Sequence, residues 1–187
     1  SQAMSTLKVN NLQEADGSAF PYVRQVVSCS DSTRESTGSV SCSQTYVDTP
    51  FAVTVTPVSS TNKILISAFF HGECDTNEHE LQFIVERAIS GGATTRIGAA
   101  DVGNRAGTIA VPPQGYFDNN NDSTPFMMAF NGLLDSPSTT SAITYTLQVR
   151  AATGSRTVYY NRNVNDGDYN LSTERGLSWL TVMEVSA

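Results

Sequence analysis

Five consecutive residues, Asp118-Asn119-Asn120-Asn121-Asp122, put side-chain oxygens at alternate positions 118, 120 and 122, as a calcium loop begins. The downstream bidentate Glu and the glycine of the sharp turn are missing, so a solvated turn accounts for the run better than a metal site. Cys29, Cys42 and Cys74, with His71 and His79, show no zinc spacing. Directly before the run stand Tyr116 and Phe117. Rings beside amides suit a sugar, because a ring covers the pyranose face while amides read its hydroxyls; core packing explains the same rings. A second loop of this kind holds Asp166, Asp168 and Tyr169, and there Asn165-Asp166-Gly167-Asp168 is more simply turn chemistry. Hydrolysis would need two placed carboxylates, or a nucleophile with its base. The acids are scattered over loops and neither histidine sits in a Ser or Cys constellation. The expectation is a non-enzymatic chain with no cofactor.

The elements that must carry these loops are read from composition and period. Of 187 residues, 39% are hydrophobic and only 16% charged, while Ser and Thr together number 43. Hydroxyls and amides therefore do much of the solvating, and the abundance of β-branched residues favours strands. The net charge of −7 argues against a nucleic-acid partner, which would need a basic face. No apolar run approaches the roughly 18 residues of a membrane span, so no membrane insertion is expected. Ser1 to Met4 read as an expression remnant, residues 5–20 as an extended lead, and residues 21–187 as one domain. Cys29 and Cys42 flank a polar loop and could bridge, although three cysteines make no disulfide framework.

Period-two alternation recurs from Tyr22 onward. Strands are predicted over 22–27, 44–48, 51–56, 63–70, 79–89, 94–99, 107–111, 124–134, 142–151, 156–162 and 177–185. A polar loop is expected over 30–39, with Pro50 and Pro57 bounding the 51–56 strand. Over 79–89 a helical face competes, but Phe83-Ile84-Val85 favours a strand. Some ten strands with no convincing helix mean an antiparallel sandwich or barrel.

Three pieces of the sequence resemble tail-fibre and virion structural proteins of bacteriophages, especially marine and cyanobacterial ones. They are the lead Ser5-Thr-Leu-Lys-Val-Asn-Asn-Leu-Gln-Glu-Ala-Asp-Gly-Ser18, the pairing of Phe51-Ala-Val-Thr-Val-Thr-Pro57 with Lys63-Ile-Leu-Ile66, and the closing Leu180-Thr-Val-Met-Glu-Val185. Ser136 to Ser141, Tyr145 to Val149 and Val158 to Arg162 belong with the third piece. The chain departs from the usual pattern at 74–79 and 118–122. The resemblance implies an all-β antiparallel jelly-roll tip, in outline like heads of the tumour-necrosis-factor and C1q type, assembled as a homotrimer on the virion after synthesis in the host cytoplasm. Its implied partners are other virion proteins and a host cell-surface glycan or protein. A lead that cannot pair within its own chain could pair with its copies around a threefold axis. Apolar residues on both faces of 63–70 and 125–134 motivate an interface at Phe69, Phe126, Met128 and Phe130. Tyr159 and Tyr160, on opposite faces of one strand, add to it. Host contact is expected at loops 115–124 and 163–172, gathered at the end opposite the lead. A virion decoration or head-fibre protein without a receptor role, and a carbohydrate-binding module of a cellular protein, are the alternatives.

Overall fold

The computed structural model describes residues 22–76, 81–112, 125–167 and 173–187. The lead, and the loops at 113–124 and 168–172, lie outside the described residues. Ten strands appear in chain order: β1 (Val23–Ser28), β2 (Gly38–Cys42), β3 (Val47–Val55), β4 (Lys63–Cys74), β5 (Leu81–Ile89), β6 (Thr94–Ile97), β7 (Phe126–Asp135), β8 (Ile143–Ala151), β9 (Arg156–Tyr160) and β10 (Trp179–Val185). One short helix, α1 (Asp31–Glu35), replaces part of the expected polar loop. Ser30 caps it, its hydroxyl accepting the Thr33 N–H at 3.3 Å, a local bond that strand alternation does not reveal.

The first sheet runs β1-β10-β4-β9-β2, with β7 on the other edge of β4; the second runs β3-β8-β5-β6. Every strand pairing is antiparallel. From β3 to β5 and from β6 to β8 the chain crosses from sheet to sheet, which is the double Greek key of a jelly roll. The second Pro boundary holds and the first does not. Pro50 lies inside β3, at the register shift between Asp48 and Ala52, where the ladder needs no N–H from it.

Alternation places Phe51, Val53 and Val55 of β3 and Tyr145, Leu147 and Val149 of β8 against Ile64, Ile66 and Phe70 of β4, all buried. Phe70 anchors the centre, with ring centroids at 5.0 Å from Phe83, 5.8 Å from Phe126 and 6.0 Å from Phe51. Cys29 and Cys42 are buried here and form no disulfide, so the packed core holds these segments.

Two buried carboxylates tie the end at which β1 starts. Asp135 of β7 accepts from Arg87 of β5 at 2.7 Å and from the Tyr145 hydroxyl of β8 at 2.8 Å, joining the two sheets. Glu184 of β10 is 0% exposed and accepts from Asn62 Nδ2 (2.6 Å), Gln25 Nε2 (2.6 Å) and the Val58 N–H (2.8 Å). Burial alone would raise its pKa, but the Gln25, Asn62, Val58 and Ser59 donors outweigh it and hold the carboxyl below the usual glutamate range. A lowered folded pKa adds stability above the unfolded pKa, and that increment disappears as pH falls through the folded value. Glu184→Gln should therefore cost about 1–3 kcal/mol near neutral pH, with the gap to wild type closing as pH drops below the glutamate range; urea titrations at a series of pH values measure it.

Candidate functional site

At the end opposite Tyr22, β4 outruns its neighbour. β10 pairs with β4 only as far as Phe69, and β9 takes up Gly72 to Cys74 along the same edge. The chain between β9 and β10 makes an excursion there, described over 161–167 and 173–178. Asn161 controls the join. It is fully buried, sits at φ 59° in the left-handed region that Asn tolerates, and donates through Nδ2 to Arg34 O (2.8 Å) and Ser36 O (2.6 Å). Its Oδ1 accepts the Ser178 hydroxyl at 2.6 Å, and Ser178 Oγ in turn accepts the His71 backbone N–H at 2.9 Å. One amide thus satisfies α1, β4 and the entry to β10.

The groups with chemistry at this end are held in structural contacts. Glu73, 1% exposed, accepts the Val164 N–H at 2.7 Å. Asn163 and Glu174 exchange two hydrogen bonds at 2.9 and 2.8 Å. The His71 ring packs on Gly176, where any Cβ would collide with it, and its buried Nδ1 has no partner among the described residues. Burial lowers its pKa, partly countered by the Glu174 carboxylate, so the imidazole is neutral at pH 7. Cys74 is a poor nucleophile, its thiol pushed up to about 11 chiefly by burial.

Of the residues singled out in sequence, Tyr116, Phe117, Asp118, Asn119, Asn120, Asn121, Asp122, Asp168 and Tyr169 lie outside the described residues. Asp166 is partly exposed and bonds Arg175 at 2.5 Å, with Arg162 at 4.0 Å. The residues bordering both loops do share one end: Ala110 bridges to Phe83, Phe126 pairs with Gly72, and Asn161 follows β9.

The interface candidates divide by strand face. Met128 is 1% exposed, and Phe126 and Phe130 pack against the core beside it. Their shared side of β7 points into the sandwich, so an interface role for this trio is corrected: the outward side holds Met127 and Ala129. Tyr160 also turns inward, edge-on to Phe51 at 5.7 Å, lying over Gly38, where a side chain would collide with it. Tyr159 points outward beneath Arg162, 4.4 Å from its ring centroid. Phe69 is outward too, stacked on Trp179 at 4.5 Å beside a shallow cleft of about 460 Å³.

Phe69 belongs to a face that sequence reading glimpsed only in part. Across the outside of β1-β10-β4-β7 run Val26, Met183, Leu65 and Leu134, then Ser28, Thr181, Ser67 and Asn131, then Trp179, Phe69 and Ala129, then His71 and Met127. None of these is Asp, Glu, Lys or Arg; Lys63 closes the outward row of β4 at the Tyr22 end, donating to Ser136 Oγ at 2.8 Å. Val26, Met127 and Leu134 are 57%, 59% and 56% exposed. The alternate residues of β1 and β10 were the available signal, hidden because each outward apolar residue sits next to an inward one.

No protein-family model and no curated protein matches the sequence. Among solved structures the chain is similar to infectious bursal disease virus Gt strain, at 13% identity and a TM-score of 0.37 over 98% of this chain and 46% of that one. It is also similar to the infectious bursal disease virus VP2 subviral particle, at 12% identity and a TM-score of 0.35 over 98% and 45%. The chain spans less than half the length of either. Likeness at this level carries no functional weight, and the jelly roll stands on the strand pairing itself.

The junction separates strong from weak contacts. Asn161→Ala should cost about 2–4 kcal/mol in urea unfolding, because it strands buried carbonyls and puts Ala at positive φ. Asn161→Gly isolates the hydrogen-bond part. Asp166→Asn, at a solvated ion pair, should change stability by under about 1 kcal/mol.

Proposed function

We propose that the chain is a non-enzymatic structural domain of a bacteriophage fibre or similar virion appendage, assembled as a homotrimer through the outer face of β1-β10-β4-β7. The observation that carries this reading is the largely apolar surface on that face, charged only by Lys63 at the Tyr22 end among the outward residues of β4, in a chain with net charge −7. Copies of an acidic protein repel one another unless they meet where negative charge is absent. Three outward faces closing on an axis would also remove Val26, Met127, Leu134 and the Phe69–Trp179 stack from water. The resemblance of the lead and the closing strand to fibre proteins supports three copies, and a jelly roll is the tip that resemblance implies.

The two ends of the sandwich then take different tasks. Tyr22, where the lead joins, stands beside Ser186 at one end, and the borders of both long loops stand at the other. The shaft and the remaining virion proteins belong on the Tyr22 side, and a host-surface glycan or protein meets the loop end.

Light scattering of the intact chain at micromolar concentration should give three times the chain mass. The joint substitution Val26→Lys and Met127→Lys should yield monomers that keep the wild-type circular dichroism spectrum, since both side chains are exposed in the single chain. A monodisperse wild-type monomer would remove the basis for the trimer.

A further inference from the structure

The outer face of the β3-β8-β5-β6 sheet, on the side of the sandwich away from the proposed assembly face, holds a cleft of about 490 Å³ between β6 and the 98–107 segment. Tyr46 forms its floor, 8% exposed, its hydroxyl donating to Gly107 O at 2.9 Å. Two guanidinium groups lie against that ring, Arg150 at 4.5 Å and Arg96 at 5.1 Å from the centroid. Each is held through Nε, Arg96 by Gln148 Oε1 at 3.2 Å and Arg150 by Gln82 Oε1 at 2.7 Å. Gln148, itself 4% exposed, is locked by donating to Asp48 Oδ1 (2.8 Å) and Glu86 Oε2 (3.1 Å). Asp101 Oδ1 accepts the Gly107 N–H at 2.6 Å.

These anchors use only part of each group. Both terminal amino groups of Arg96, Nη2 of Arg150, and the second oxygens of Glu86 and Asp101 make no hydrogen bond among the described residues. Fixed donors and fixed acceptors therefore line one concave surface, already oriented before anything binds, so little side-chain entropy is lost on binding. Arg96 and Arg150 cancel the lining carboxylates Glu86 and Asp101 in formal charge, and Asp48 stands behind Gln148, so the lining gives an anion no advantage. A ligand whose own groups both donate and accept fits this lining. Vicinal hydroxyls do so, accepting from a guanidinium N–H and donating to a carboxylate.

We propose that this cleft binds a neutral saccharide. The inference rests on the host-contact reading and adds a ligand class and a location distinct from the end loops. The volume falls within the range of small-molecule sites. In a trimer closed on the opposite sheet the cleft faces outward, so three copies would act together on a multivalent surface and strengthen a weak single-site affinity.

Saturation-transfer NMR on the intact chain, with glucose, galactose, mannose, N-acetylglucosamine and glucuronate as probes, tests it. At least one neutral sugar should bind saturably, with little difference between low and high salt. Arg96→Met keeps an unbranched side chain over Tyr46; it strands Gln148 Oε1 and so lowers the melting temperature, but below that temperature the folded variant should bind roughly tenfold more weakly. Asp101→Asn retains an acceptor for Gly107 and should weaken it less. The proposal is overturned if none of the neutral sugars binds, if Arg96→Met binds as the wild type does, or if glucuronate binds best in a salt-sensitive manner. Attachment of labelled chain to a panel of bacterial and cyanobacterial cells separates the two readings. Sugar binding lost while attachment persists in an Arg96→Met and Asp101→Asn double variant supports the cleft and leaves host contact to the end loops. Sugar binding without attachment supports the cleft and removes host contact.

Discussion

A twelve-residue β4 beside a seven-residue β10 creates the constraint from which the far end of the molecule follows. The uncovered backbone of β4 must find partners, since buried unpaired amides cost more than a typical hydrogen bond yields. β9 supplies them over Gly72 to Cys74, with β2 paired in turn on β9, and the switch from β10 to β9 leaves a seam that Asn161 closes. No residue with a bulkier or apolar side chain could both take φ 59° and satisfy two carbonyls at once. Because the seam is closed by side-chain bonds, the 161–178 excursion can leave the sandwich there without exposing its core.

That arrangement gives the sandwich a polarity. One end is tied by Asp135, which accepts from β5 and β8, and by Glu184, which accepts from β1 and from the connection between β3 and β4. The other carries the excursion and the borders of the long loops. The two outer faces differ as well. The β1-β10-β4-β7 face is largely apolar, with Lys63 at one end, whereas the β3-β8-β5-β6 face is a polar network of Asp48, Glu86, Arg96 and Gln148 around Tyr46. Such asymmetry suits a body that joins its copies on one side and leaves the other to solvent.

Much of this architecture was legible in the sequence. Inward residues at every second position located nine of the ten strands, because burial of one face enforces the period, but 107–111, also predicted as a strand, makes only an isolated bridge of Ala110 to Phe83, and 44–48 and 51–56 merge into β3. β2 and α1 escaped, since Gly38-Ser39-Val40-Ser41-Cys42 has little apolar content and α1 depends on a Ser30 cap. The faces of β7 were harder. With Phe126, Met128 and Phe130 on one side and Met127 and Ala129 on the other, apolarity alone does not say which side is core; the pairing with β4 and the stacking of Phe126 on Phe70 decide it. The arginine cleft was invisible because its members come from the start of β3, from β6, from β8 and from the 98–107 segment, brought together only by the register of β5 with β6 and β8.

The central claim is that the outer face of β1-β10-β4-β7 is covered in the native protein. Hydroxyl-radical footprinting of the intact chain addresses it through two adjacent methionines. Met128 is 1% exposed and Met127 is 59% exposed in the single chain, so an uncovered face makes their oxidation rates diverge widely. The account predicts that native Met127 oxidises nearly as slowly as Met128 and becomes reactive only when the protein is unfolded. Rapid oxidation of Met127 in the native state, at the rate of the unfolded chain, would contradict it.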